Sequence, residues 1–129
     1  MITLNNGKYA IHLQALKKDT DEASVMTDYL SQVAVVTKQD DFLALSLLLQ
    51  SEQTITGFQI DRGDGEFVEA IDKHVDEEME RRSEAFEINT LHKDTLARVQ
   101  YEVAHEGKTF KGDETFRLVF DEDSLEKVE

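Results

Sequence analysis

Apolar and polar positions alternate with a period of two along most of the chain. Tyr9, Ile11, Leu13 and Ala15 alternate with Ala10, His12, Gln14 and Leu16 after an Asn5-Asn6-Gly7 turn, which predicts a first strand. Residues 19–24 are rich in turn and cap formers, and 23–30 can form one or two helical turns. A β-branched run at 33–38 predicts a second strand. A turn at 39–41 separates it from a third, 42–50, which is apolar on both faces and therefore expected to be central. Residues 54–61 and 66–75 predict a hairpin around Arg62-Gly63-Asp64-Gly65. The charged stretch 76–82 predicts a wide turn, and Phe86 and Ile88 alternate within 84–89. A strand at 96–105, a turn at Glu106-Gly107 and a last strand from Gly112 to Phe120 complete the pattern. About eight short strands with one short helix after the first long strand make an all-β sandwich or barrel. We expect one domain over 1–121 and an acidic, poorly ordered tail or linker over 122–129.

Charge narrows the function. Lys and Arg total 14 and Asp and Glu total 28, a formal net charge of −14. Phosphate binding needs clustered Lys and Arg, so nucleic acid is not an expected partner. Attraction to an anionic membrane surface is not expected, on the same ground. No Cys is present, which removes disulfides, thiolate metal sites and a Cys nucleophile. At 40% hydrophobic residues the chain can fill a core, which argues against disorder. The N-terminal residues lack the basic stretch and apolar run of a signal peptide. The apolar stretch 42–49 is far short of the roughly 20 residues that span a bilayer. These features fit a cytosolic protein or a domain excised from a longer chain.

Most motifs that might carry chemistry have plain structural readings. His12, His74, His92 and His105 stand apart, without the spacing of a helical metal motif. The run Asp61-Arg62-Gly63-Asp64-Gly65-Glu66 resembles a calcium loop but has Gly63 where an oxygen ligand belongs. Its Arg-Gly-Asp tripeptide is equally explained by a hairpin turn. Asp76-Glu77-Glu78 reads as a solvated turn. No nucleophile elbow or Ser-His-Asp order is present, and we expect no enzyme.

Two segments remain. In the first, a strand enters a polar turn and then a short helix carrying Ser24, Val25, Met26 and Tyr29, with Met26 and Tyr29 on one helix face. Such a lip either covers a flat apolar ligand or plugs one end of the sandwich. The second is the C-terminal hairpin. Tyr101, Val103 and His105 share one face of its first strand, and Phe110, Gly112, Glu114 and Phe116 share one face of its second. This face is either core or pocket wall.

Several pieces together resemble the NEAT (near-iron-transporter) domain, a haem-acquisition module of Gram-positive surface proteins. They are Ala15-Leu16-Lys17, Ser24-x-Met26-x-x-Tyr29, Ile55-Thr56-Gly57-Phe58, Phe86-Glu87-Ile88, Leu96-Ala97-Arg98-Val99 and Phe116-Arg117-Leu118-Val119-Phe120-Asp121. The resemblance covers nearly the whole chain and implies an immunoglobulin-like β-sandwich. It implies haem between the short helix and the last hairpin, with Ser24, Val25, Met26 and Tyr29 as lip and Tyr101, Val103 and His105 as wall. In the family a Tyr-x-x-x-Tyr motif on the final strand supplies the iron ligand from its first Tyr. Counting back from Arg117, those two positions hold Phe110 and Glu114 here. Phenylalanine cannot coordinate iron, so the usual haem ligation is expected to be absent.

Three outcomes follow from that departure. The first is haem bound through another ligand: His105, the candidate metal residue, or Tyr101 or Met26. The second is recognition of a haemoprotein or a neighbouring NEAT domain without haem. The third is a structural spacer. The resemblance further implies an extracellular setting, at a Gram-positive cell surface or secreted, with the domain part of a longer chain and not itself inserted in the membrane. A net charge of −14 suits a soluble exposed module.

Overall fold

The computed structural model describes residues 2–50 and 54–128, with only the backbone described at His105. Among these residues the strands are β1 Gly7–Lys17, β2 Val33–Gln39, β3 Phe42–Gln50, β4 Ile55–Asp61, β5 Phe67–Glu69, β6 Asp72–Asp76, β7 Arg81–Glu87, β8 Asp94–His105 and β9 Lys108–Lys127. A single 3-10 turn, Val25–Asp28, lies between β1 and β2. All neighbouring pairs are antiparallel, in the order β5-β4-β8-β9-β1-β2-β3-β7-β6.

The period-two reading of the first strand follows from its burial. Tyr9, Ile11, Leu13 and Ala15 are buried, whereas His12 and Gln14 are exposed. The expected central strand is β3, held between β2 and β7, with Leu45, Leu47 and Leu49 pointing inward. The sheet curls into two facing layers. Phe58 of β4 meets Phe86 of β7 at a ring separation of 5.8 Å, although five strands lie between them in the hydrogen-bonded order. Phe58 also meets Phe116 of β9 edge-on at 5.9 Å. Alternation therefore places one face of every long strand in a single shared core. The expected all-β sandwich is what forms.

Three local expectations are corrected. The second arm of the hairpin expected at 66–75 divides. Its first part, β5, pairs with β4 (Asp61↔Phe67), and its second, β6, pairs with β7 (Asp72↔Ala85). The backbone N–H of Ile71 donates to Ala85 O at 2.8 Å where the chain changes layer. The local run of apolar residues does not say which strand each part will pair with, so the pattern does not reveal the switch. The wide turn expected at 76–82 is tight: Asp76 caps it by accepting from Met79 N at 3.2 Å, Glu80 takes a positive φ of 51°, and β7 begins at Arg81.

The third correction concerns the tail. Expected to be poorly ordered over 122–129, it extends β9 to Lys127, with Tyr9↔Lys127 and Ala10↔Glu126 paired after a register shift. At that irregularity Ser124 Oγ replaces a backbone partner by accepting from His12 N at 2.8 Å. Leu125 packs against the core while its acidic neighbours point outward.

Candidate functional site

The lip is positioned by the turn that precedes it. The N–H of Ser24 donates to Ala15 O at 2.9 Å, and its hydroxyl caps the 3-10 turn by accepting from Met26 N at 3.1 Å. Thr27 Oγ1 donates to the same Ala15 carbonyl at 3.2 Å. The polar loop before Ser24 is pinned from below by Arg117. Its guanidinium donates to Lys17 O at 3.0 Å, Thr20 O at 2.6 Å, Asp21 at 2.9 Å and Asp94 at 2.8 Å. One side chain of β9 thus fixes where the lip sits.

Opposite the lip stands the inner face of the β8–β9 hairpin. The register pairs Val99 with Glu114, Tyr101 with Gly112 and Val103 with Phe110, so these side chains project from one side of the ribbon. A cavity of about 250 Å³ opens between hairpin and lip, lined by Val25, Met26, Tyr29, Thr54, Ile55, Tyr101 and Val103. Exposed apolar side chains extend the surface beyond it: Val25 is 60% exposed, Val103 40% and Phe110 55%.

The structure therefore brings together Val25, Met26, Tyr29, Tyr101 and Val103 of the residues expected from sequence. Ser24 is buried and serves as the cap, without lining the cavity. Phe110 and Glu114 share the hairpin face with Val103 and Val99 by register and do not line the cavity. The side chain of His105, expected as a metal residue, lies outside the described residues; its backbone pairs with Lys108. Thr54 and Ile55 were not anticipated. They enter because Ile55 pairs with Tyr101 and Thr54 O accepts from Glu102 N at 2.8 Å, a long-range pairing that no local pattern encodes.

Polar contacts around the site are few. Tyr101 Oη donates to Glu114 Oε1 at 3.3 Å. Burial first, and then the Glu114 carboxylate, push the Tyr101 phenol above the ordinary tyrosine range. On the outer face, Arg98 makes a forked pair with Asp113 at 2.9 and 2.6 Å, and Gln100 adds a bond at 3.2 Å. Arg98 first, then Gln100, hold the Asp113 carboxyl below its usual value. Behind the cavity wall, Arg82 Nη2 donates to Ile55 O at 3.3 Å, and its Nε meets the fully buried Glu84 at 2.6 Å. Lys17 is paired with Glu22 at 3.1 Å. Among the described residues no group of three or more His, Cys, Asp or Glu side chains could hold a metal ion, and no helix is long and apolar enough to cross a membrane.

Residues 3–124 match the family model for NEAT, described as an iron-transport-associated domain. Hemin/hemoglobin-binding protein 2 of Listeria monocytogenes is 27% identical over 121 residues, covering 93% of this chain and 21% of that protein. Hemin/hemoglobin-binding protein 1 of the same organism is 25% identical over 125 residues, covering 97% of this chain and 58% of that protein. The chain thus spans only part of the length of these relatives. Among solved structures, the NEAT5 domain of IsdX2, a B. anthracis hemophore in complex with heme, superposes with a TM-score of 0.79 at 26% identity, covering 91% of this chain and 97% of that one. A single-residue mutant of that NEAT5 domain, also in complex with heme, gives 0.79 at 27% identity, covering 92% and 97%.

Proposed function

The chain belongs to the NEAT family of iron-transport-associated domains, and from that membership we propose that it is a non-enzymatic module of haem-iron acquisition that binds haem as cargo between the 3-10 turn and the β8–β9 hairpin. The immunoglobulin-like sandwich acts as the scaffold. The observation that carries the reading is the apolar cavity between Met26 and Tyr29 on one side and Tyr101 and Val103 on the other. At about 250 Å³ it is small beside ligand pockets of roughly 300–1,000 Å³. It therefore takes one edge of a flat macrocycle, and the exposed Val25, Val103 and Phe110 cover more of its faces.

Ligation differs from the family's pattern. Phe110 and Glu114 occupy the positions that count back from Arg117 to the two motif tyrosines, and both lie on the inner hairpin face. Iron is held by some other group or by none. The setting we propose is extracellular, at a Gram-positive cell surface or secreted, as one part of a longer protein.

Titration of the purified domain with haemin tests the reading. A saturable Soret change at micromolar haem, abolished by filling the cavity with Val103→Trp, is expected. Absence of saturable binding by the folded wild type would overturn it. A second reading, recognition of a haemoprotein, rests on the hemin/hemoglobin-binding names of the two relatives and on the exposed apolar rim. Retention of haem-free globin by the immobilised domain supports that reading. Failure to retain globin or haemin leaves a spacer.

A further inference from the structure

Tyr101 is set in place by three features of the hairpin. Its cross-strand partner is Gly112, and a β-carbon built at 112 would overlap Cζ and Oη of the Tyr101 ring. The ring therefore lies across the glycine backbone, in space that any other residue would fill. This glycine is not in the left-handed region, so its small size, and not its conformational freedom, is what the site uses. Leaning over Gly112 carries the phenol to Glu114, which accepts from Oη at 3.3 Å. Finally, Tyr101 lines the cavity itself, whereas Glu114 does not.

Resting on the binding function proposed above, we infer that Tyr101 supplies the oxygen ligand to ferric iron in a bound porphyrin, with Glu114 as the acceptor that orients its hydroxyl and Gly112 as the gap that admits its ring. The step balances without redox change. The Oη–H bond breaks, a lone pair on Oη forms the bond to Fe(III), and the proton leaves to solvent past the exposed Glu114 carboxylate that accepts from Oη. A phenolate is a hard anionic ligand suited to ferric haem. A cation of high charge at Oη favours the phenolate where it binds. Met26 is a weaker candidate because it is 3% exposed and packed in the core. Tyr29 also lines the cavity and serves as a control.

The test compares haemin with metal-free protoporphyrin IX on the wild type and on Tyr101→Phe, Tyr29→Phe and Gly112→Ala. Resonance Raman spectra of the haemin complexes report phenolate ring modes directly. Expected for the wild type are phenolate modes and saturable binding of both porphyrins. In Tyr101→Phe the modes vanish and haemin loses at least tenfold in affinity, a larger loss than metal-free porphyrin shows. An unchanged far-ultraviolet circular dichroism spectrum shows that the variant is folded. Gly112→Ala loses the modes although all three tyrosines are present, and Tyr29→Phe keeps them. Phenolate modes or unchanged haemin affinity in Tyr101→Phe would overturn the assignment and leave the proposed function standing. If the folded wild type binds neither porphyrin, the proposed function fails and this assignment with it.

Discussion

Replacing Arg82 with Met should destabilise the domain far more than replacing Arg82 and Glu84 together. Glu84 projects from β7 into the interior, and its side chain is only 1% exposed. Its Oε2 accepts from Arg82 Nε at 2.6 Å, whereas its Oε1 is buried with no hydrogen-bond partner. Removing the guanidinium leaves the buried carboxylate without its ion-pair partner in a low-dielectric site, at a cost of about 3–5 kcal/mol. It also removes the bond from Arg82 Nη2 to Ile55 O, which ties β7 to β4 across the sandwich at the cavity wall. For a domain of this size the loss corresponds to a drop in Tm of roughly 12–20 °C, at about 4 °C per kcal/mol. Against a total stability of about 5–15 kcal/mol, that brings the variant close to unfolding. The double change Arg82→Met, Glu84→Leu removes the stranded charge and should recover most of the loss, because an apolar pair of similar volume is often as stable as a buried ion pair. Urea unfolding followed by far-ultraviolet circular dichroism measures both, since the chain has no Trp for fluorescence. A single variant costing less than about 1 kcal/mol would refute the argument from a buried uncompensated charge. A double variant no better than the single would show that Arg82 acts through its other contacts.

Three further outcomes follow from the same contacts. Phe58→Ala, which removes a fully buried ring packed on Phe86 and Phe116, should cost about 3–5 kcal/mol in urea unfolding with an unchanged slope. Ser24→Ala should cost about 1 kcal/mol through loss of the cap; faster amide exchange at Met26 should accompany it, and unchanged exchange would deny Ser24 the capping role. Because its folded value is lowered by Arg98 first and Gln100 second, Asp113 contributes stability that is present above its unfolded value and lost as pH falls through the folded one. Carboxyl NMR should place its titration below that of an ordinary aspartate; in Arg98→Ala it should return toward the ordinary value, and equal titration in both proteins would refute the Arg98 assignment.

Most of the fold could be read from the chain because strand structure is local in its pattern. Alternation in Tyr9-Ile11-Leu13-Ala15 and the apolar run of β3 mark which faces are buried whatever their partners. The cavity-lining residues Tyr101 and Val103 follow from the same alternation, and Val25, Met26 and Tyr29 from the helical spacing of the short turn, both together with the family resemblance. The pattern missed where one predicted arm changes neighbours, as at Ala70-Ile71, and where a polar tail keeps a single apolar anchor, as at Leu125. In both cases the hydrogen-bonding partner is chosen elsewhere in the sheet.

What the chain determined by itself was its class, its inward faces, the helical lip and the presence of Phe110 and Glu114 four residues apart on the final strand. Register decided the rest. Only pairing β8 with β9 sets Tyr101 over Gly112 and within reach of Glu114, and only pairing β4 with β8 brings Thr54 and Ile55 into the cavity. Residues 13 positions apart, such as Tyr101 and Glu114, meet because two antiparallel strands align them. That alignment is fixed by the packing of whole faces into one core, a property of the assembled sheet that no short stretch of sequence contains.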